Sequence, residues 1–591
     1  MKWTGKSSLA LLAGALPLSA AINNCPLDGP VFPKPTKLST LPIIKEAVAN
    51  LTGYFEQWNA NYSATGNFSY SMQIFSAHEQ DALFSYSHTA AKLAKINHPG
   101  VATVDENSVF RLGSLTKVFT VYNMLLNAGD EIWNAPITKY IPELAAMAAN
   151  SSSSSNPVAN IAWNDVTIGS LATQMSGIPR DYALLGEVSQ QDSTKARVVQ
   201  LGFPPLPEAD LPPCGDTPLC TRAQFFAGIS KFAPSVGTFQ TPTYSDIGFQ
   251  LLGYALEEIT GKDYQSLLQD TVLTPLGLNG TFYTRPDNAL GVIPGNANLT
   301  QWNFQLGDEA PAGNMYSTAA DLAKLGRAIL NYKQLSPVVT KRWLKPFAFS
   351  SDPKASVGAP WGVRRIPLGP EYRETTGYNK AGGIGSYMAA FILIPDYDVG
   401  FSIMIAGDIP GNTNWDIADI LGNTFVPAVT AAAKNQAATK FNGVYAAPAN
   451  VTNGGKFNRP LNSSITITTD AKPGLSVSNW ISNGTDFRNN VVALQLTYQP
   501  TTPSIRLYPG GLVTDLASGG KEVKFKAIFE DLAVAQQVDK MFSTDCGSWV
   551  GVESVLYAST SADDLIFNQD AAGNVQSITI PSLRITMPKV S

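Results

Sequence analysis

The sequence predicts an α/β (α+β) protein: a large domain in which helices flank an antiparallel sheet, followed by a smaller all-β domain. Three observations lead to this prediction. A helical apolar pattern is followed by strand patterns near the start of the chain, helical and strand segments then alternate, and short alternating runs replace them beyond about residue 440. The chain has 591 residues, of which 44% are hydrophobic and 15% charged. This length and composition suit two or three packed domains and exclude global disorder.

The large domain opens with a helical pattern at 43–58, whose apolar face is formed by Ile44, Ala47, Leu51 and Phe55. Strand patterns follow at 68–75 and 83–86, and Val109-Phe110 leads into a segment around Ser114. A later helix runs from Ile247 to a terminating Gly261. Residues 388–404 indicate two strands joined at Pro395-Asp396. A helix, several strands and a mixed segment together predict an antiparallel sheet covered by helices.

The C-terminal part is predicted to be a β-sandwich or barrel. Its short alternating runs are 465–468, 493–498, 523–529 and 578–580. Turn signals separate these runs, including Pro509-Gly510-Gly511 and Ala572-Gly573-Asn574. A polar stretch of small residues at 435–440 marks the boundary. The predicted domains are therefore a catalytic domain at 22–440 and a β-rich domain at 441–591.

Residues 1–21 are predicted to be a signal peptide. Lys2 and Lys6 supply positive charge, residues 8–18 are largely apolar, and Ser19-Ala20-Ala21 offers small residues for cleavage. The apolar stretch is too short to serve as a membrane anchor. The sequence thus predicts a secreted protein.

If the protein is exported, its cysteines can form disulfides and its Asn-x-Ser/Thr motifs can accept glycans. Cys214 and Cys220 flank a short Gly-Asp-Thr-Pro-Leu turn and are predicted to pair, which leaves Cys25 for Cys546. The spacings do not match a zinc site. Asn-x-Ser/Thr motifs, predicted to accept glycans, occur at Asn50, Asn61, Asn67, Asn150, Asn279, Asn298, Asn450, Asn462 and Asn483.

Charge and motif content exclude several function classes. The net charge is 41 − 46 = −5, which offers no general attraction for nucleic acid or anionic membranes. No phosphate-binding loop or dinucleotide fingerprint stands out, so no cofactor is expected. The three histidines, His78, His88 and His98, all precede the candidate nucleophile described below. A Ser-His-Asp hydrolase and a histidine-based metal site are therefore both disfavoured.

The segment containing Ser114 and Lys117 carries the first candidate chemistry. Residues three apart on a helix share a face, so the two side chains point the same way. A serine hydroxyl needs a neighbour to take its proton, and a lysine can serve as that base when partial burial lowers its pKa. The pattern is common by chance, so an exposed, inert pair is the alternative.

Two further elements accompany this pair. Tyr244 and Asp246 open the helix at 247–261, where core packing of Tyr244 and N-capping by Asp246 are the alternatives. Lys380, Gly382 and Gly383 precede the paired strands, and glycines there allow close backbone approach by a substrate. A plain glycine-rich turn with a solvated Lys380 is the alternative.

The ordered set Ser-x-x-Lys, Tyr-x-Asp and Lys-x-Gly resembles class C β-lactamases and their esterase, D-aminopeptidase and transpeptidase relatives. The stretches at 166–179, 244–277 and 311–322 extend the resemblance, which covers about residues 60 to 435. The segment from 441 to 445 resembles the start of the lipocalin-like barrel appended to some relatives.

The resemblance implies a role for each candidate residue. Ser114 would be acylated, and Lys117 and Tyr244 would share the proton transfers. Lys380 would hold a substrate carboxylate or tune Tyr244, and the N–H groups of Ser114 and Gly383 would form the oxyanion hole. The implied fold is of the β-lactamase/transpeptidase type, and the implied partner is a small-molecule or peptide substrate.

This chain departs from the family pattern at Asp246, where asparagine is usual, and at Ala381, where threonine is usual. An unpaired carboxylate at Asp246 would repel anionic substrates, and Ala381 removes a hydroxyl that helps bind a carboxylate. Both favour ester, amide or lactone substrates over antibiotics. The predicted function is a secreted β-lactamase-like serine hydrolase. A non-hydrolytic penicillin-recognising sensor and an acyltransferase of the same fold are the alternatives.

Overall fold

The computed structural model describes residues 24–96, 98–150, 156–184, 187–189, 197–369, 374–450, 452, 460–533, 541 and 546–590. The predicted signal peptide lies outside these residues. The α-helices are α1 (Pro42–Asn61), α2 (Thr116–Asn127), α3 (Pro142–Asn150), α4 (Ile168–Ala172), α5 (Arg222–Ile229), α6 (Ile247–Thr260), α7 (Tyr264–Leu268), α8 (Thr274–Leu276), α9 (Ala310–Gly313), α10 (Ala319–Leu330), α11 (Pro337–Trp343), α12 (Thr413–Phe441), α13 (Phe487–Leu496) and α14 (Ser548–Gly551).

The strands are β1 (Phe68–Ser76), β2 (Phe84–His88), β3 (Phe110–Arg111), β4 (Tyr316–Ser317), β5 (Ala348–Phe349), β6 (Ala355–Val357), β7 (Gly362–Pro367), β8 (Glu374–Ile384), β9 (Tyr387–Ile394), β10 (Val399–Gly407), β11 (Gly443–Ala446), β12 (Ser464–Thr468), β13 (Leu475–Ser482), β14 (Thr485–Asp486), β15 (Pro503–Asp515), β16 (Lys521–Asp531), β17 (Leu556–Tyr557), β18 (Thr560–Ser561), β19 (Asp564–Gln569), β20 (Val575–Ile580) and β21 (Ile585–Pro588).

An eight-stranded sheet with the order β2-β1-β10-β9-β8-β7-β6-β5 organises the larger part of the described chain. Strand β1 pairs antiparallel with β10, and β10 with β9. Every residue of β1 is buried because helices cover both of its faces. Phe55 of α1 packs on Tyr70, while Phe75 fills the space beside Gly326 of α10. The predicted helix-flanked antiparallel sheet is confirmed.

The predicted elements of this part agree closely with the structure. Helix α1 buries the same four side chains that the spacing assigned to its apolar face. Helix α6 begins at Ile247 and ends at Thr260, and its C-cap Gly261 has a positive φ of 67° that suits glycine. Strands β9 and β10 form the predicted pair around residues 395–396.

The second sheet has the order β11-β12-β13-β15-β16-β19-β20-β21, with β14 paired to β13. An isolated bridge between Tyr445 and Lys589 brings its first and last strands together, so the sheet is nearly closed. Phe441, Phe525 and Phe567 meet edge to face inside it, with ring centroids 4.9–5.2 Å apart. This barrel-like sheet confirms the predicted all-β class of the C-terminal part.

Two predictions in the C-terminal part are wrong. Residues 493–496 of the predicted strand at 493–498 belong to helix α13, whose N-cap Asp486 accepts a hydrogen bond from Asn489 N and whose Val491 and Val492 are buried. The predicted turn at 509–511 instead lies within β15, where the pairing with β16 shifts register between Pro509 and Val513. A bulge accommodates glycines in a strand and gives the same sequence signal as a turn.

The described chain divides into two compact units. One comprises residues 34–366 and 375–432, and the other comprises described parts of 1–33, 367–374 and 433–591. Disulfides join Cys214 to Cys220 and Cys25 to Cys546. Within the residues described, no helix is both long and apolar enough to span a membrane.

Candidate active site

Ser114 lies in a tight turn between β3 and α2. Gly113 has a positive φ of 53°, and a side-chain carbon at this position would come within 2.6 Å of the Gly383 backbone nitrogen. Glycine is therefore required both by the turn and by the close packing. Gly113 and Leu115 are buried, whereas Ser114 is half-buried and accessible.

Lys117, one helical turn later, is fully buried. Its Nζ lies 3.2 Å from Ser114 Oγ, donates to the Ala312 carbonyl at 2.7 Å and forms an ion pair with Asp246. Burial alone would lower the pKa of Lys117, but the Asp246 carboxylate and Tyr244 together raise it above its ordinary value. The expectation that burial lowers this pKa is wrong, because a carboxylate lies against the ammonium. The exposed-pair alternative is also wrong.

Tyr244 precedes α6 and is surrounded by three cations. Arg180 Cζ, Lys117 Nζ and Lys380 Nζ lie 4.8, 4.9 and 5.4 Å from its ring centroid. Its hydroxyl lies 3.5 Å from Lys380 Nζ, and Ser114 is close enough to contribute to the shift of its pKa. Burial would raise the pKa of Tyr244, but the charges of Lys117 and Lys380 lower it below its ordinary value. The side chain is thus prepared to lose its proton.

Asp246 occupies the N-cap position of α6 without making the cap hydrogen bond. Its buried carboxylate contacts Lys117 and lies 3.9 Å from Arg180 Nε. The N-capping alternative therefore does not describe its side chain. The predicted repulsion of anionic substrates required an unpaired carboxylate, and this condition is not met because Asp246 is paired with Lys117.

We predict that Asp246→Asn lowers the free energy of unfolding by about 3–5 kcal/mol, because it leaves the Lys117 ammonium buried without its counter-ion. Urea unfolding of wild type and variant measures this difference. Asp408→Asn is the control, since it removes the exposed partner of Lys92 and should change stability by less than about 1 kcal/mol. A loss below 1 kcal/mol for Asp246→Asn would mean that the pair is energetically unimportant.

Lys380, Gly382 and Gly383 lie on β8, which passes directly beside the Ser114 turn. Lys380 is buried and donates to the Ala381 carbonyl at 2.6 Å, and burial followed by the nearby Lys117 charge lowers its pKa. The alternative interpretation, in which Lys380 is a solvated lysine in a plain glycine-rich turn, is therefore wrong. A side-chain carbon at Gly382 would overlap the Leu112 carbonyl and lie 2.8 Å from Ser114 N. Gly383 is exposed at the same place, so substrate has access to its backbone.

The structure brings all seven predicted catalytic and substrate-binding residues to one site and adds three that sequence reasoning missed. These are Arg180, Asp181 and Glu309. Arg180 and Asp181 directly follow the 166–179 stretch that resembles the family, and Glu309 precedes the 311–322 stretch. Proximity to those stretches was the available signal. A cavity of about 510 Å³ opens beside Arg180 and is also lined by Tyr182, Leu211, Lys231 and Phe232.

Other residues singled out by the sequence have structural roles. Thr318 caps α10 by accepting from Asp321 N, and the Asp321 carboxylate accepts from Gly280 N and Thr281 Oγ1. His78 lies 3.0 Å from the Asp398 carboxylate, and the His88 ring contacts the Thr65 carbonyl. All nine predicted glycosylation asparagines are exposed.

Comparisons with known proteins show which families and chains this sequence is similar to. Residues 84–420 match the family model described as "Beta-lactamase", and residues 433–591 match one described as "Beta-lactamase-like-like, C-terminal domain". The chain is 29% identical over 608 residues to a "Beta-lactamase-like protein" of Arthroderma benhamiae, covering 98% of each chain. It is 25% identical over 623 residues to a "Probable hydrolase" of Cochliobolus lunatus, covering 100% of this chain and 95% of that one. A solved class C β-lactamase is 17% identical, with a TM-score of 0.43, covering 64% of this chain and 96% of the other.

Proposed function

Because the chain belongs to the β-lactamase family, whose model matches more than half of it, we propose that it is a serine hydrolase that forms an acyl-enzyme at Ser114. The bond it cleaves is an ester, amide or lactam. One observation carries the proposal: the half-buried Ser114 has its Oγ 3.2 Å from Lys117 Nζ and lies beside Tyr244, whose pKa is lowered by Lys117 and Lys380. A nucleophile beside a group ready to accept its proton is the requirement for covalent acyl transfer.

In this mechanism Tyr244 is the base. Its phenolate accepts the Ser114 proton while Ser114 Oγ forms a bond with the substrate carbonyl carbon. The tyrosine then returns that proton to the leaving group as the scissile bond breaks. Water attacks the acyl-enzyme in the second half, again with Tyr244 accepting and returning a proton, and Ser114 is regenerated. Lys117 stays an ammonium because Asp246 opposes its charge, so it stabilises the phenolate and does not compete for the proton.

The oxyanion hole is proposed to consist of the backbone N–H groups of Ser114 and Gly383. The Gly382 backbone packs against the Ser114 turn too closely for any side chain, which keeps both amides at one place. Ser114 also lies at the N-terminal end of α2, where the helix dipole favours negative charge. Fixed donors of this kind stabilise the charge that develops on the carbonyl oxygen.

The proposed substrate is a small molecule or peptide whose remaining part occupies the cavity beside Arg180. Aromatic and aliphatic side chains line this cavity together with charged groups of both signs, which are Arg180, Lys231, Asp181, Glu187 and Asp210. The sequence offered two arguments against anionic substrates. Pairing of Asp246 with Lys117 removes the first, and the hydroxyl missing at Ala381 remains as the second. Lys380 is the proposed contact for a polar substrate group next to Tyr244.

Mass spectrometry after treatment with a fluorophosphonate tests the proposal. We expect one adduct on the peptide that contains Ser114 and no labelling of Ser114→Ala. Ser230→Ala, which changes an exposed serine at the end of α5, is the control and should label like the wild type. An adduct on another serine, or equal labelling of Ser114→Ala, would contradict the assignment.

We also propose that the protein is secreted after removal of residues 1–21 and that its domains are 22–440 and 441–591. Two disulfides and nine exposed glycosylation motifs support export, since disulfides persist in oxidising compartments. The separate match at 433–591 and the two compact units support a division close to residue 440, while the described residues before 34 group with the C-terminal unit.

A further inference from the structure

A cluster of three carboxyl groups lies beside Lys117, which forms an ion pair with one of them. One oxygen from each of Asp181, Asp246 and Glu309 lies within 4.8 Å of the other two. The residues come from the segment after Pro179, the start of α6 and the turn before α9. Glu309 is 4% exposed, and the Asp181 side chain is 5% exposed. Three negative charges at this separation in a buried place would strongly repel one another.

The hydrogen bonds of the cluster are incomplete if all three acids are ionised. Asp246 is satisfied by Lys117, and Arg180 Nε lies 3.3 Å from Asp181 Oδ2 as an ion pair. In the described part of the chain, no group donates a hydrogen bond to either Asp181 oxygen or to Glu309 Oε1. Buried carboxylates without donors are costly. A proton held between two of these acids would satisfy both of them.

The environment identifies the acid that holds the proton. Burial, and then the charge of Asp181, raises the pKa of Glu309 well above its ordinary value. Burial and Asp246 also raise the pKa of Asp181, but a hydrogen bond with Glu309 opposes this shift. Glu309 therefore donates and Asp181 accepts. The facing charged or titratable groups are Lys117, Arg180, Asp246 and, next to Lys117, Tyr244.

We propose that Asp181 and Glu309 share a single proton and together act as positioning residues that hold Asp246 against Lys117. The Arg180 carbonyl accepts from Asp246 N at 2.9 Å, so the segment carrying Asp181 is bound to the start of α6. Glu309 precedes the short helix whose Ala312 carbonyl accepts from Lys117 at 2.7 Å. The shared proton thus links two chain segments next to the groups that bind the Lys117 ammonium, one carrying Asp181 and the other carrying Glu309. The catalytic part of this inference rests on the proposed function, whereas the shared proton does not.

A proton fits this cluster better than a metal ion. The Lys117 ammonium already contacts Asp246 Oδ1, and Arg180 Nε lies 3.9 Å from Asp246 Oδ2, so two positive charges are already present. Two cations and three ionised carboxylates leave one negative charge in excess. One proton balances the cluster without a further ligand.

The first test is independent of catalysis and uses the full chain. Infrared difference spectra of wild type minus Glu309→Gln at neutral pH should show the carbonyl stretch of a protonated carboxylic acid. The same band should be absent from the difference between wild type and Asp308→Asn. Asp308 is the matched control because it is exposed in the same turn and accepts from Tyr254 at 2.7 Å outside the cluster.

The pH dependence of thermal unfolding gives a second readout of the same proton. A group whose pKa is raised on folding stabilises the protein below its unfolded pKa, which is 4.5 for glutamate, and loses that contribution as pH rises through the folded value. The melting temperature of Glu309→Gln relative to wild type should therefore rise with pH above about 4.5. Asp308→Asn should show no such trend. A flat difference for Glu309→Gln, together with no infrared band, would overturn the shared proton.

The positioning role is tested by a double-mutant cycle. Asp181→Asn and Glu309→Gln each remove one acid of the proton-sharing pair, the double variant removes both, and Asp246 remains in every variant. Because either substitution alone breaks the shared proton, the loss of kcat/KM in the double variant should be smaller than the product of the two single losses, by about tenfold. If the loss of kcat/KM in the double variant equals the product of the single losses, and the wild type still shows the carboxylic acid band, the positioning role is overturned and the shared proton is retained. A rise in wild-type melting temperature with Ca²⁺ that Glu309→Gln abolishes would instead identify a metal site.

Discussion

Ser114→Ala is expected to reduce kcat by about 10⁴-fold or more with any ester or lactam that the wild type hydrolyses. The variant lacks the only atom proposed to form the acyl-enzyme bond. The residual rate would come from the oxyanion hole and from substrate binding, which the substitution leaves in place. The ion pair of Lys117 with Asp246 also remains. We therefore expect the melting temperature to stay close to that of the wild type.

Steady-state kinetics on a panel of esters, amides and β-lactams measures this loss. Ser230→Ala serves again as the control and should retain the wild-type rate. Activity of Ser114→Ala above one tenth of the wild type would show that the chemistry takes place elsewhere. The panel also separates the alternatives. Acylation of Ser114 without turnover would indicate a sensor, and transfer to an added alcohol in preference to water would indicate an acyltransferase.

Tyr244→Phe is expected to lower kcat by about 10²–10⁴-fold, which is the usual contribution of a general base. The change keeps the ring that contacts Lys117, Arg180 and Lys380 and removes only the hydroxyl. KM should change much less than kcat, because the lost group acts on the reacting proton. The rate of the wild type should rise with pH through the lowered pKa of Tyr244, since the phenolate is the active form.

The measurement is a pH–rate profile of the wild type and of Tyr244→Phe. The rise of rate with pH that is expected for the wild type should be absent from the variant. Tyr254→Phe is the control, because this buried tyrosine donates to Asp308 and burial raises its pKa. It should retain most of the wild-type kcat. If Tyr244→Phe retains both its activity and the rise of rate with pH, then Lys117 is the base, as the sequence alone predicted.

Much of the larger domain was predictable because its signals are local. The face of α1 and the alternation in β9 and β10 follow from the helical and strand periods, which do not depend on distant residues. The proximity of Ser114 and Lys117 has the same origin, since three positions along a helix return to one face. Prediction was poorer at 493–498, because a short apolar run fits a helix or a strand equally well.

The sequence by itself therefore determined the fold class, the positions of most elements and seven of the residues that meet at the site. Only the tertiary structure decided how the charges at that site are distributed. Asp246 lies 129 positions from Lys117, and its pairing reverses the pKa shift expected from burial alone. Arg180, Asp181 and Glu309 reach the same cluster from other segments. The reason is physical: a charged group responds to the distance and burial of its neighbours, and both are set by packing rather than by order along the chain.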